Sequence, residues 1–296
     1  MGLEKISVWI ISMTILVMYH TTFTGTAEFS KVSDQELQAL SEDLLKNDIN
    51  NCADLITVNL QGQVKQGNKQ DSAPFRLLTV NPKALEKPTI QKLRPLFDNY
   101  NPDVRDPEDI TTQEEYEESS FLDAIFDTPI MAKTHNFLAK KGYVSSDLDT
   151  FKEEFYNVWF GMYQKKASEP NSCGFEHVFV GELKGTEVGG FHNWVRFYLE
   201  EQQGTANYLG FIEEKAKGTG GYFLKITFKW NQNYKAIGSI FMGASPELEM
   251  ALYTICFYTK PGGVCRLKLG GNNVSIQTYQ HEYAGSIYVA TAYPAN

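Results

Sequence analysis

Two histidines with similar surroundings are the most informative residues of the sequence. His177 lies in the segment Phe-Glu-His-Val and His192 in the segment Gly-Phe-His-Asn-Trp. Histidine has an unperturbed pKa of about 6.5, so one ring of a pair can be neutral while its neighbour is charged near pH 7. Such a pair suits RNA cleavage by the 2′-hydroxyl, in which one group removes the 2′ proton and another protonates the departing 5′ oxygen.

The same reaction requires a fixed cation, because negative charge develops on the phosphorus. The segment 234–239, Tyr-Lys-Ala-Ile-Gly-Ser, offers Lys235. It follows an alternating apolar segment at 224–230, which predicts a strand, and a turn at 231–233. Strand and turn are therefore expected to deliver the lysine.

The elements around the two histidines are expected to bring both rings to one pocket. Val178 and Val180 alternate with their neighbours, which predicts a strand after His177. His192 follows a double glycine at the start of a predicted helix that ends at Gly204. The apolar stripe of this helix has i, i+3, i+4 spacing and consists of Phe191, Trp194, Val195, Tyr198 and Leu199. A turn at Lys184-Gly185 separates the strand from the helix.

These residues resemble the motifs of the EndoU endoribonuclease family. The resemblance rests on 175–178, 190–194, Lys235 with Ser239 four residues later, and Thr-Ala-Tyr at 291–293, which occur in the order of the family. It extends upstream to about residue 33. The chain is therefore identified as similar to this family over almost its whole length.

The resemblance implies a role for each of these residues. His192 looks like the general base and His177 like the general acid, although the assignment of acid and base stays open. Lys235 would bind the scissile phosphate. Four residues would contact the uridine, with the last a weaker candidate: Ser239, Tyr293, Thr291 and Thr278. Glu176 and Glu182, which flank His177, would orient it or bind a metal ion.

The function implied by the resemblance is a secreted endoribonuclease that cleaves single-stranded RNA at uridylates. The mechanism leaves 2′,3′-cyclic phosphate and 5′-hydroxyl ends, and DNA would bind without being cut. Family members are commonly stimulated by Mn²⁺, but the sequence shows no recognisable ligand set for this ion. One alternative is a catalytically silent secreted RNA-binding or interaction protein. Another, a non-RNA esterase, lacks a Gly-x-Ser-x-Gly motif.

The N-terminal residues have the features of a signal peptide. Residues 6–18 are mainly apolar, Lys5 precedes them, and Gly25-Thr26-Ala27 supplies small residues for cleavage. The alternative is an uncleaved anchor, but the apolar run falls short of the ~20 residues needed to span a bilayer. We therefore predict a signal peptide at 1–27, secretion, and no stable membrane association.

Four cysteines follow the predicted cleavage site, and an even number in an oxidising compartment favours disulfides. Cys256 and Cys265 flank a turn at 260–263 and form the favoured pair. That choice leaves Cys52 with Cys173. Three connectivities are possible, and four buried free thiols are the alternative.

The pattern of elements predicts an α+β fold for residues 28–296. Helices are expected at 34–46, 121–131, 147–162 and 245–252, and strands at 264–269, 274–279 and 287–293. We expect a helix-rich part to about residue 172 and a catalytic β-rich part at 173–296, in a monomer. The acidic segment 98–119 is expected to be a solvated connector or helix face.

The charge distribution argues against a protein that holds nucleic acid by bulk charge. Residues 1–172 carry the whole net charge of −9, and residues 173–296 are neutral. A protein of that class would show a basic patch and a strong salt dependence. A nuclease that reads a few nucleotides in a cleft needs no such patch.

Overall fold

A computed structural model describes residues 31–295 except Ser168, Thr219 and Gly220. The predicted signal peptide, residues 1–27, lies outside the described residues. The helices of the described part are α1 (Asp34–Lys46), α2 (Pro82–Leu85), α3 (Pro88–Leu93), α4 (Thr112–Phe126), α5 (Pro129–Lys140), α6 (Leu148–Phe160), α7 (Trp194–Gln203) and α8 (Pro246–Thr259). None of the helices in this part of the chain is long and apolar enough to cross a membrane.

The starts of the helices follow from local side-chain chemistry. Ser33 and Thr111 each precede a helix as the first residue of a capping box. The hydroxyl accepts a hydrogen bond from the backbone N–H three residues later, and the glutamate at that position accepts one from the backbone N–H of the serine or threonine. The single helix predicted at 121–131 is wrong. It is two helices, because Thr128 caps a new helix whose first residue is Pro129.

The acidic segment 98–119 is partly helical. Its run of glutamates, 114–118, lies in the first half of α4, where carboxylates favourably face the positive end of the helix dipole. Residues 98–111 form the connector before it. Both expectations for the segment therefore hold, each for a different portion.

The strands form three sheets, and every pairing but one is antiparallel. A small sheet joins β1 (Ile56–Val58) and β2 (Leu78–Val80). The central sheet has the order β3-β4-β7-β6-β5, and the C-terminal sheet has the order β10-β9-β8. Their bounds are Glu182–Lys184 (β3), Glu187–Gly189 (β4), Ala206–Gly218 (β5), Gly221–Trp230 (β6), Asn233–Met242 (β7), Val264–Leu269 (β8), Asn272–Tyr283 (β9) and Ser286–Pro294 (β10). The α+β class is confirmed.

Helix α8 runs through the core and packs against α5, β9 and β10. Every residue from Pro246 to Phe257 is buried, so this stretch of the helix has no solvent-exposed face. Trp159 of α6 donates from its indole N–H to the Thr254 hydroxyl at 2.8 Å, which satisfies two buried polar groups. The prediction that this helix ends at Leu252 is therefore too short.

The strand predicted after His177 is wrong. Residues Glu176–Val180 form one π-helical turn, closed by a 2.8 Å hydrogen bond from Gly181 N–H to the Glu176 carbonyl. A short apolar run buried on all sides does not distinguish a strand from a helical turn by periodicity. The predicted helix after His192 exists, but it begins two residues later, with Asn193 as its N-cap.

One predicted disulfide is confirmed and the other is wrong. Cys256 and Cys265 are bonded, whereas Cys52 and Cys173 are free and buried. The free thiols lie in different surroundings: Cys52 is beside the Ala84 carbonyl, and Cys173 contacts the N–H of Glu176. Burial raises the pKa of the Cys52 thiol to about 12, so this thiol is unreactive in the folded protein.

This arrangement predicts the number of thiols that can be alkylated. Iodoacetamide added to the unfolded, unreduced protein should modify two cysteines, Cys52 and Cys173. The same reagent added to the folded protein should modify neither, because both thiols are buried. Intact mass and peptide mapping measure the result. Modification of no cysteine, or of Cys256 and Cys265, would contradict the structure.

Candidate active site

Two backbone hydrogen bonds join the segments that carry the histidines. Phe191 N–H donates to the His177 carbonyl at 2.9 Å, and His192 N–H donates to the Val178 carbonyl at 2.7 Å. Gly190 has a positive φ of 54°, and a Cβ there would lie 1.5 Å from the His177 carbonyl oxygen. Only glycine therefore permits the two segments to approach this closely.

His192 is buried and its proton is placed by a backbone carbonyl. Its Nδ1 lies 2.9 Å from the Ser239 carbonyl oxygen, which can only accept a hydrogen bond. Nδ1 therefore carries the hydrogen, and Nε2 of the neutral ring has a free lone pair. Burial, followed by the nearby charges of Lys235 and His177, lowers the His192 pKa well below its usual value. The ring is thus neutral at pH 7.

His177 forms an ion-pair-like contact with Glu182, which lies at the start of β3. The His177 Nδ1 is 2.7 Å from Glu182 Oε2. Burial favours a raised Glu182 pKa, but the hydrogen bonds and charges of His177 and Lys165 outweigh it and lower the pKa. Glu182 is therefore an anion that accepts from Nδ1–H. Burial lowers the His177 pKa, and the Glu182 charge opposes that shift.

Lys165 also belongs to this group, and sequence reasoning missed it. Its Nζ lies 2.5 and 2.8 Å from the two carboxylate oxygens of Glu182 and 3.3 Å from His177 Nδ1. The Ser172 hydroxyl donates to the same carboxylate. The lysine precedes β3 in an irregular segment, so no motif or periodicity indicated it.

Lys235 lies near the start of β7, and the predicted turn before it is confirmed by the positive φ of Asn231 and Gln232. Its Nζ donates to the Val188 carbonyl of β4 at 3.1 Å, and the residue is 9% exposed. Burial lowers the Lys235 pKa to about 8, against the opposing charge of Glu182. Because its charge also lowers the pKa of both histidines, the three side chains lie within electrostatic reach of one another.

Three of the four predicted uridine-contacting residues lie together. Ser239 is on β7 and its carbonyl holds His192, whose ring stacks on Tyr293 at 5.2 Å between centroids. Thr291 is two residues from Tyr293 on β10, and both are half-buried on the same face of the strand.

Thr278 faces the other way. It pairs with Ala292, and both side chains are fully buried on the core side of the sheet. The threonine is therefore not brought to the pocket with Thr291. Its neighbour Tyr279 is the residue of β9 that pairs with Thr291 of β10, and it is 46% exposed. Burial raises the pKa of the Tyr293 phenol, and the nearby Tyr279 raises it further. The register of β9, which sequence alone does not give, decides which of the two reaches the pocket.

Glu176 and Glu182 differ in their surroundings. Glu176 is fully buried, and neither of its carboxylate oxygens has a hydrogen-bond partner in the described part of the chain. Burial, with the charges of Glu182 and Glu108, raises its pKa well above the usual value. Glu176 is therefore a neutral acid, and Glu182 alone orients His177.

The expected metal ion has no evident protein site. Among residues 31–295 as described, no group of three or more histidine, cysteine, aspartate or glutamate side chains is placed to hold a metal ion. Glu182 is already occupied by His177, Lys165 and Ser172. The residues present thus do not fit a protein-held Mn²⁺.

A cavity of about 480 Å³ opens beside His177. It is bordered by Glu182, Lys165, Lys166, Lys184 and His281 among others. His192, Lys235, Ser239 and Tyr293 do not line it. Of the two histidines, His177 therefore borders the cavity and His192 does not.

Comparison with known proteins shows the family of the chain. The family model described as endoribonuclease XendoU matches residues 36–294. The chain belongs to the XendoU endoribonuclease family. The resemblance found in the motifs is thereby confirmed over nearly the whole chain.

Several relatives of the XendoU family are similar over most of the chain. A uridylate-specific endoribonuclease of Bos taurus is 38% identical over 282 residues, covering 91% of this chain and 68% of the relative. Uridylate-specific endoribonuclease C of Xenopus laevis is 37% identical over 276 residues, covering 90% of each. The solved structure of XendoU, described as a splicing-independent snoRNA-processing endoribonuclease, superposes with a TM-score of 0.72 at 33% identity, covering 90% of this chain and 98% of that chain.

The burial of Lys235 predicts a trade-off between activity and stability. The folded-state pKa of about 8 is below the unfolded value, so the buried charge destabilises the folded state below pH 8. Lys235→Met should raise the free energy of unfolding by about 1–3 kcal/mol at pH 7 while removing activity. The gain should shrink between about pH 8 and 10.5, where the wild-type lysine loses its proton in the folded state.

Urea denaturation of both proteins across this pH range measures the difference in unfolding free energy. Lys229→Met, at a half-buried lysine on β6, serves as the control. A Lys235→Met protein that is less stable than wild type at pH 7 would contradict the destabilising role of the charge.

Proposed function

We propose that the protein is an endoribonuclease that cleaves single-stranded RNA at uridylates through the 2′-hydroxyl. The observation that supports this most is the pairing of two differently held imidazoles. His192 is kept neutral by burial with its Nδ1–H on a carbonyl, and His177 is held by an ionised carboxylate. The names of the relatives give the same activity and base preference.

His192 is the general base in this proposal. Its Nδ1–H is fixed by the Ser239 carbonyl, which leaves Nε2 to take the proton of the 2′-hydroxyl. The lowered pKa of His192 keeps the base unprotonated at neutral pH. The 2′-oxygen then attacks the adjacent phosphorus.

His177 is the general acid. Its Nδ1–H donates to Glu182, and in the imidazolium form of the ring the second proton, on Nε2, passes to the departing 5′ oxygen. The Glu182 anion favours the charged imidazolium and fixes the orientation of the ring. Because the attacking oxygen belongs to the same ribose, the first products have 2′,3′-cyclic phosphate and 5′-hydroxyl ends.

Lys235 supplies the fixed positive charge for the phosphate. A preorganised cation in a site that excludes water stabilises the charge that develops in the transition state. A contribution of about 3 kcal/mol is typical of such groups. Above pH 8 the lysine begins to lose its proton in the free enzyme, so activity should fall on the alkaline side. Protonation of His192 limits activity on the acidic side.

Uridine is selected beside His192. The Tyr293 ring offers a face for the base, and the Ser239 and Thr291 hydroxyls can bond its edge. Tyr279 widens the aromatic surface next to Tyr293. We propose that Mn²⁺, if it stimulates the reaction, binds with the RNA.

Secretion is also part of the proposal, and it rests on the N-terminal sequence. The disulfide between Cys256 and Cys265 supports an oxidising compartment. N-terminal sequencing of the protein exported by a host cell should show a chain that starts near Glu28. A protein retained with its N-terminal 27 residues attached would argue against export.

Cleavage of a matched pair of oligonucleotides tests the activity. An oligonucleotide with one ribouridine should be cut after the uridine, with and without Mn²⁺, and its 2′-deoxy analogue should bind and stay intact. His192→Ala and His177→Ala should each lower kcat by about a hundredfold to ten-thousandfold. Mass spectrometry of the 5′ fragment should show the cyclic phosphate.

The contrary outcomes are distinct. Binding of the ribouridine oligonucleotide without any cut would favour the catalytically silent RNA-binding alternative. Cleavage of the deoxy analogue would exclude the 2′-hydroxyl as the nucleophile. Lys229→Ala, at a lysine outside the cluster on β6, is the matched control for loss of a charge and should keep activity near that of wild type.

A further inference from the structure

The cavity beside His177 has no role in the steps described above. Its volume of about 480 Å³ lies within the range of small-ligand sites, which is about 300–1,000 Å³. His177 and Gly189 line it, together with His281 of β9, whose ring centroid lies 4.4 Å from that of Tyr163. The space is thus large enough for a nucleotide and adjoins the proposed acid.

The position of His177 indicates which part of the RNA would enter. This step rests on the proposed function, in which His177 protonates the 5′ oxygen of the departing strand. The uridine lies with Ser239 and Tyr293, which do not line the cavity. Because His177 lines the cavity and the uridine-contacting residues do not, the cavity is the space next to His177 that is open to the nucleotide attached to the departing oxygen.

Two lysines at the cavity have charges that the catalytic group does not use. Lys165 is paired with Glu182, whereas Lys166 and Lys184 are exposed and form no ion pair with another described residue. Lys184 lies two residues after Glu182 on β3, and therefore on the same face of the strand. Glu187 also lines the cavity, opposite Lys184 in the β3–β4 hairpin, so the rim carries a small positive excess.

We propose that this cavity binds the nucleotide on the 3′ side of the cleaved uridylate, and that Lys166 and Lys184 bind the phosphate following that nucleotide. Because the carboxylate of Glu187 offsets part of the positive charge, only a phosphate close to the two lysines is strongly attracted. The subsite orients the departing strand so that its 5′ oxygen faces His177. RNA with a charged linkage after this nucleotide is therefore a better substrate than RNA that ends there.

A chimeric substrate tests the subsite directly. The oligonucleotide is deoxyribose throughout except for one uridine, so it can be cut at a single bond. One version is fully charged, and a second has a neutral methylphosphonate in place of the phosphate after the first departing nucleotide. A third carries the methylphosphonate at the matching linkage upstream of the uridine. Wild type should lose about five- to tenfold in kcat/KM on the second version and little on the third.

The double variant Lys166→Ala/Lys184→Ala should abolish the dependence of kcat/KM on the downstream charge. It should lose about five- to tenfold on the fully charged substrate and show no further loss with the downstream methylphosphonate. The slope of log kcat/KM against log salt should decrease by about 0.7, as expected for loss of one phosphate contact to a single strand. Lys46→Ala/Lys83→Ala, at two exposed lysines of α1 and α2 outside the cavity, matches the charge change and should behave as wild type.

Equal losses from the upstream and downstream substitutions would overturn the subsite. So would a double variant that still discriminates between the charged and neutral downstream linkages. A wild-type protein that cuts the substrate but ignores the downstream charge overturns this subsite and leaves the proposed function standing. A wild-type protein that yields no product from any version overturns the proposed function and the subsite together.

Discussion

The candidate site depends on the two backbone hydrogen bonds between the segments that carry His177 and His192. Each is worth only about 1 kcal/mol in net stability, but together they fix the distance between two rings that come from different elements. They form only because Gly190 leaves room for the His177 carbonyl and because residues Glu176–Val180 close as a π-helical turn. The geometry of the catalytic groups is therefore set mainly by the backbone.

Burial is the second constraint, and it decides the protonation states. The site holds a lysine and two imidazoles in a largely water-free region, where each of their charges is costly unless it is paired. Burial lowers the pKa of His192, of Lys235 and of His177, but at His177 the Glu182 anion opposes the shift. The two histidines thus differ because one faces a carbonyl and the other a carboxylate. This difference supports the proposed division of roles between a base and an acid.

Much of the fold followed from local sequence signals. The capping box at Ser33, the turn before Lys235 and the disulfide beside the turn at 260–263 are short-range features, and the structure contains all three. The strand predicted after His177 was wrong because a five-residue buried apolar run fits either structure. The pairing of Cys52 with Cys173 was wrong because it was chosen by elimination, without knowledge of the tertiary distance.

The candidate residues that the sequence offered stand in motifs, whereas the contacts that it did not indicate arise from the tertiary structure. His177, His192 and Lys235 stand in recognisable segments, and the structure brings them within electrostatic reach of one another. Lys165 reaches Glu182 from an irregular segment without a motif, and Thr278 turns away from the pocket because strand register places its side chain in the core. Such features depend on packing between distant parts of the chain.

The proposed reaction requires a neutral His192 with its hydrogen on Nδ1, and a His177 whose Nδ1–H donates to Glu182. Nitrogen NMR of the histidine side chains at pH 7 measures this most directly, because protonated and unprotonated ring nitrogens have well-separated shifts. We expect a protonated Nδ1 and an unprotonated Nε2 for His192, with an apparent pKa well below that of a free histidine. A His192 ring that is charged at pH 7, or that carries its only hydrogen on Nε2, would contradict the proposed reaction.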